Sequence, residues 1–284
     1  MKKVICNSLI VIILIFGSCS TAPKKTGDVY KLRMFAEEGL KKANEDAMLG
    51  NYINAYNLLT EYKRMAVLAD DPDLIARICL SFGNTLFAMG QTDEAFSEWD
   101  RASKEAIISN NSELLSVSRL FTAKGNLLCG RANAQSVLDA ADRESPNIKK
   151  DVLFTAFSWQ VKGLALRSLG RYSEAEDAFK RSLAIHEKEL TLENASYDWY
   201  TIASIRSLAG KPSEAIEALQ SAIALDRRIE NSWGLAASYR AMGDVYAKAG
   251  RKQDALEAYG RAKGIYEALK NDDEAAEIDK KMRN

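Results

Sequence analysis

GRYSEAEDAF, Gly170 to Phe179, opens on a glycine, places alanine five residues later and a bulky apolar residue nine residues later. The same plan recurs in GKPSEAIEAL from Gly210, GRKQDALEAY from Gly250 and GQTDEAFSEW from Gly90. Glycines stand at 50, 90, 130, 170, 210 and 250, an interval of 40 residues throughout. Chance would give such a register roughly once in several thousand searches of a chain with this glycine content. Three further columns keep step with it. Alanine follows the glycine at 55, 95, 175, 215 and 255, and Leu59, Trp99, Phe179, Leu219 and Tyr259 fill the bulky column. Seven residues before the glycine the side chain is always minimal: Ala43, Gly83, Ala123, Gly163, Ala203, Gly243. The third unit breaks two columns with Gln135 and Asp139 and is degenerate. The chain is one short unit copied six times.

Each unit reads as a pair of helices. WQVKGLALRSLG, Trp159 to Gly170, has helical length and few breakers, and the glycine supplies the left-handed backbone that ends a helix. The turn after it starts the next helix, where Ser173 with Glu176 and Asp254 with Glu257 fit a capping box. The minimal residues before and after the glycine let the two backbones approach, with larger neighbours filling the grooves. The four prolines agree with this register: Pro23 precedes the array, Pro72 and Pro146 lie between units, and Pro212 lies in a turn.

These columns resemble the tetratricopeptide repeat (TPR) over about residues 31–270. Trp159, Trp199 and Tyr239 also stand where that family often carries an aromatic residue early in its first helix. The usual repeat has 34 residues and a proline near its end; here the unit has 40, with Val67, Ile107, Glu187, Arg227 and Glu267 at the proline position. Six extra residues add about 9 Å of helix, shared between the two helices. The resemblance implies an all-α, right-handed α-solenoid of six helix-turn-helix units, with first helices lining a concave groove and second helices covering the convex side. The polar stretch at residues 271–284, with Ala275, Ile278 and Met282 at helical spacing, is expected to form a capping helix.

Carried through the 40-residue register, the family's groove positions fall on Lys41, Asn44, Arg77, Asn84, Phe87, Leu120, Phe121, Lys124, Phe157, Gln160, Arg167, Tyr197, Tyr200, Ser204, Arg240, Asp244 and Lys248. Asn44 and Asn84 occupy the position where such proteins often hold a peptide backbone through an amide that both donates and accepts. Phe121, Phe157, Tyr197 and Tyr200 suggest an aromatic track, ringed by positive charge from Arg167, Arg240 and Lys248. An extended or helical peptide with an apolar anchor and an acidic group would suit it. The same aromatics would instead pack between first helices if the array closes tightly. A carboxylate clamp of the family's chaperone-binding kind is excluded, because Leu40 and Leu80 stand where it needs a basic residue.

The N-terminus is a different object. Met1-Lys2-Lys3 precedes an apolar run from Val4 to Phe16, too short at about 20 Å to span a bilayer as a helix. With Gly17 and Ser18 it reads as a signal peptide, residues 1–18. Cys19 resembles the lipid-modified cysteine of bacterial lipoproteins, and residues 19–30 read as lipid attachment and a flexible tether. Phe16 stands where leucine is commoner, and an ordinary cleaved signal with an incidental cysteine is the alternative. The expected location is therefore exported and membrane-anchored, at the outer membrane or a periplasm-facing leaflet. Removing residues 1–18 leaves 37 basic against 39 acidic residues, a net charge near −2, so no basic stripe points to nucleic acid. Cys79 and Cys129 read as buried thiols that do not pair.

Little in the chain suggests chemistry. His186, the single histidine, is expected to be a solvated residue late in a second helix, with no cluster at ligand spacing around it. No glycine loop suits a phosphate, and neither metal nor cofactor is expected. The sequence therefore points to a non-enzymatic, lipid-anchored envelope scaffold that binds a peptide segment or protein partner. The alternative is a small-molecule or lipid-binding accessory of a solute transporter, with an apolar pocket lined by the same aromatics.

Overall fold

The computed structural model describes residues 27–283. The calls on the signal peptide and Cys19 lie outside these residues. Helix α1 (Gly27–Met48) begins four residues before the array was expected to start. Then come α2 (Tyr52–Leu68), α3 (Pro72–Ala88), α4 (Thr92–Ile108), α5 (Ser112–Leu128) and α6 (Ala134–Glu144). After a 3-10 turn at Ser145–Asn147 follow α7 (Val152–Ser168), α8 (Tyr172–Lys188), α9 (Leu192–Leu208), α10 (Pro212–Arg228), α11 (Ser232–Lys248), α12 (Lys252–Ala268) and α13 (Asp272–Arg283). The described residues are all-α, and each helix packs on the next to form a solenoid of six pairs closed by α13.

Both helices of a regular unit have 17 residues, as α7 and α8 do, so the extra length is shared equally. The glycine column ends each first helix: Gly170 has φ +74°, its N–H bonds to Arg167 O at 3.0 Å, and Arg171 N–H reaches Leu166 O at 2.9 Å. This is the Schellman pattern, in which the orphan carbonyls of the last turn are taken by the residues just beyond it. Twenty residues on, the same geometry recurs without glycine. Asp70, Asn110, Leu190, Glu230 and Lys270 all have φ between 47° and 58°. The unit is therefore two 20-residue halves that share one turn geometry.

Side-chain capping falls mostly on the first helices; among the second helices of the described residues only α6 has it, where Asn133 Oδ1 accepts from Ser136 N–H at 2.8 Å. Asp71, Asn111, Asp151, Asn231 and Asn271 each accept an N–H from the first turn of the helix that follows. Ser173 and Asp254 lie inside their helices instead, behind Arg171 and Arg251, which make no side-chain cap. In these units the residue directly after the turn glycine already holds the N-cap position, so Ser173 and Asp254 cannot, which corrects the capping-box expectation. In the degenerate third unit α6 stops early, and the link to α7 is held by Glu113. Its Oε1 accepts the N–H groups of Lys149, Lys150 and Asp151 at 2.8, 2.7 and 3.1 Å.

The minimal column and the bulky column meet. A Cβ on Gly163 would stand 2.6 Å from the Phe179 ring, and Gly83 and Gly243 face Trp99 and Tyr259 in the same way. Units with alanine in that column, Ala43 and Ala203, carry Leu59 and Leu219 instead. The small residue accommodates a ring as well as a neighbouring backbone. At the C-terminal end Ala275 and Ile278 are buried in a small cluster with Tyr259 and Tyr266, so α13 covers the last pair. Cys79 is buried, but Cys129 is exposed at the end of α5, which corrects the expectation of two buried thiols.

Candidate functional site

The first helices curve until the array meets itself. Gly50, in the turn of the first unit, packs against the indole of Trp233 at the start of α11 in the sixth. Gly50 has φ +81°, and any side chain there would overlap Trp233. The groove thereby becomes a half-open cavity of about 750 Å³ walled by α3, α5, α7, α9 and α11, with Trp99 of α4 and the ends of α1, α2, α10, α12 and α13.

One wall is aromatic. Trp99, Phe121 and Phe157 stack in series with centroids 6.0 and 4.0 Å apart. Lys124 Nζ lies 5.5 Å from the Phe157 centroid and 5.9 Å from that of Tyr197, within cation–π range of both. Phe157 is buried, while Tyr197 keeps 38% of its surface exposed. The lining also holds acids, Glu193, Asp226 and Glu274, together with Trp233 and Tyr266, whose rings meet edge to face at 6.3 Å.

Of the residues singled out from sequence, Asn84, Phe87, Phe121, Lys124, Phe157, Gln160, Tyr197 and Tyr200 line this cavity. Asn44 does not; it lies with Lys41 and Arg77 in a separate shallow groove at the N-terminal end. The expected positive ring does not form. Arg240 pairs with Glu274 at 2.7 Å, Lys248 donates to Ser207 O at 3.2 Å, and Arg167 reaches Ser204 Oγ at 3.5 Å. Each partner belongs to a neighbouring first helix or to α13, so these long side chains tie the helices together laterally.

Sequence reasoning missed Trp233 and Asp226. Asp226 lies on a second helix, which the register assigns to the convex side. One signal was present: Gly234 stands where other units carry Leu74, Leu114, Phe154 and Asn194. A Cβ there would come within 2.5 Å of both Asp226 carboxylate oxygens.

The tetratricopeptide repeat family matches residues 194–268 and again residues 162–190. This chain carries tetratricopeptide repeats. Among solved structures of similar fold, the Rap protein complexed with competence and sporulation factor shows 16% identity over 90% of this chain and 78% of that one, with a TM-score of 0.60. The APC/C heterotetramer Cut9–Hcn1 shows 15% identity and a TM-score of 0.56, over 89% of this chain but only 46% of that one. A thermophilic TPR protein of Thermus thermophilus, TTC0263, shows 18% identity over 72% of this chain and 98% of that one, with a TM-score of 0.50. No curated protein sequence matches the chain.

This TPR protein also buries its histidine, contrary to expectation. His186 is 3% exposed, and its Nδ1 lies 2.8 Å from Asp198 Oδ2. Asp198 Oδ1 accepts from Gln160 Nε2 at 2.8 Å, so the network joins α7, α8 and α9. Ser182 Oγ approaches the same Nδ1 at 3.5 Å. A serine–histidine–aspartate relay needs the serine on one ring nitrogen and the carboxylate on the other. Here both face one nitrogen, so the arrangement is not such a relay, and the network braces three helices of the stack. Among the described residues no cluster of His, Cys, Asp or Glu has the geometry to hold a metal.

Proposed function

We propose that this TPR protein is a non-enzymatic, lipid-anchored scaffold of the bacterial cell envelope that receives a short peptide segment of a partner in its half-open cavity. The TPR fold supports a role in protein–protein interaction. The observation that carries the finer reading is the Gly50–Trp233 contact, because it limits the groove to about 750 Å³. A folded domain does not enter such a space; a chain terminus or an extended loop of a few residues does. Attachment through Cys19 rests on the N-terminal sequence, and no described helix is long and apolar enough to cross a membrane. The Rap protein of similar fold is complexed with competence and sporulation factor, which fits an array that accommodates a factor.

Cross-linking and pull-down from the native envelope test this, using the full lipoprotein beside a Tyr197→Ala/Tyr200→Ala variant. One partner captured by the first and lost by the second supports the reading. A partner retained by both moves binding to another face.

The cavity size also favours a second reading, since 750 Å³ lies within the range of small-molecule pockets. Native mass spectrometry of the purified protein separates the two. A co-purifying mass of a few hundred daltons that is not a peptide favours a small apolar ligand.

A further inference from the structure

One element of the cavity wall is not explained by packing. Asp226, at the end of α10, is 1% exposed and yet lines the cavity. Its Oδ1 accepts from Asn231 Nδ2 at 3.0 Å, and its Oδ2 has no hydrogen-bond partner. The Ser196 hydroxyl donates to Ala222 O at 3.2 Å and stands close enough to Asp226 to favour its ionised form, so it answers the carboxylate only in part. The charge facing it, on Glu193, has its own sign. Buried carboxylates are ordinarily paired or fully hydrogen-bonded, so an exception calls for a cause.

Comparison with a half-buried, half-satisfied carboxylate sharpens the point. Glu98 also has one oxygen without a partner, but its second oxygen holds Lys63 at 2.5 Å, so its charge is already answered. Asp226 has no such cation. The chain has moreover given up a side chain beside it: Gly234 is the residue that lets the carboxylate sit there, and Asn231 both caps α11 and orients it. Trp233, next to Gly234, presents an aromatic surface to the same end of the cavity, backed by Tyr266. A carboxylate that shares a cavity with aromatic rings is an arrangement that receives a cationic nitrogen, through a charge-assisted hydrogen bond and the electron-rich ring faces.

We infer that this end of the cavity binds a cationic nitrogen of the peptide ligand, either its α-amino terminus or a Lys or Arg side chain, with Asp226 Oδ2 as acceptor and Trp233 as aromatic wall. The inference rests on the cavity being a peptide site. It assigns the ligand an orientation: cation toward Asp226, with the remaining residues along the Phe121–Phe157 wall where Lys124 stands. Burial pushes the Asp226 carboxyl up to about 6, in keeping with a group that lacks a counter-charge.

The test uses the full chain purified in detergent and three sets of synthetic hexapeptides. The first has free amino termini and no Lys or Arg, the second is N-acetylated and contains Lys or Arg, and the third is N-acetylated with neither. Retention is read by affinity selection and mass spectrometry for the wild type and for Asp226→Asn, with thermal unfolding to check the fold. Asp226→Ser takes its place if the amide does not fold. We expect one cationic set to be retained at least ten-fold over the third, identifying terminus or side chain, and that preference to fall within two-fold in the variant. Equal retention of all sets by the wild type, or a preference unchanged in the variant, overturns the inference while leaving the peptide site intact. No retention of any set by either protein overturns the peptide reading, and the inference with it.

Discussion

Gly163 and Phe179 share one volume: a Cβ on the glycine would stand 2.6 Å from two carbons of the buried ring. The pair joins the two helices of the fourth unit, and four of the other five units solve the same problem with Gly83/Trp99, Gly243/Tyr259, Ala43/Leu59 or Ala203/Leu219. Ring size and the missing methyl are two halves of one fit. Gly163→Ala should therefore cost about 1–3 kcal/mol by overpacking, and Phe179→Leu about 1–2 kcal/mol by the cavity it leaves. The double variant recreates the Ala/Leu pairing of the first and fifth units and should recover most of that loss. Urea unfolding of the four proteins gives the cycle, and strictly additive costs would mean that the two columns do not compensate.

The closure of the array makes Gly50 unlike the other turn glycines. Gly170 has open space around it, so Gly170→Ala meets only left-handed backbone strain, about 1 kcal/mol. Gly50→Ala meets that strain and also displaces the Trp233 indole. It should lower the Tm more than Gly170→Ala does, and tryptophan emission should shift red as Trp233 becomes wet. Equal melting temperatures with unchanged emission would show that the first and sixth units do not stay in contact in solution.

The first turn of each unit was legible because glycine marks it chemically. The second turn was not, because Asp70, Asn110, Leu190, Glu230 and Lys270 share a backbone angle and no side-chain property. Their left-handed geometry is imposed by the Schellman bonds of the helix before them, as in Thr191 N–H to His186 O at 2.9 Å. The cap column at 71, 111, 151, 231 and 271 is all Asp or Asn, but it follows the turn that no side chain marks, whereas Ser173 and Asp254 follow the turn that glycine does. Within the site, the aromatic wall followed from register alone. The charged residues did not, because register gives the direction of a long side chain's root but not which neighbour its end will reach. Arg240 ends on Glu274 of α13, an element outside the repeat.

That imposed geometry carries a cost that can be removed. Leu190 has φ +57° and is 73% exposed, so its side chain contributes little packing in return for the strain. Leu190→Gly should stabilise the protein by about 0.5–1 kcal/mol, the strain relieved less the extra freedom glycine has when unfolded. The midpoint of urea unfolding should rise with no change in its slope. A fall would mean that Leu190 packs in solution against something that its exposure does not reveal.

Asp226 gives stability an unusual pH dependence. Its folded value, about 6, lies above the ordinary 3.8, so the folded state holds the proton more tightly than the unfolded chain. The stability this confers is fully present below about 3.8 and is lost as pH rises through about 6, a change of about 2–3 kcal/mol. Glu144 works in the opposite sense. Burial opposes its ionisation, but hydrogen bonds from Ser116 and Arg143 and the charge of Arg119 outweigh burial and hold it below the usual carboxylate range. Its contribution is present above about 4.5 and lost as pH falls. Asp226→Asn removes only the first of these. At pH 8 the variant should melt higher than the wild type, and the two should converge toward pH 4, where the wild-type carboxyl is itself protonated. A ligand cation at Asp226 would offset the same cost by another route, so the wild type should lose its deficit at pH 8 when a bound peptide supplies that charge, and the variant should gain less from the same peptide. Thermal melts of both proteins at pH 4, 6 and 8, with and without the retained hexapeptide set, measure each difference. An Asp226→Asn protein that melts lower at pH 8 would mean that the carboxylate is already satisfied in solution, by water or by a shift of Ser196.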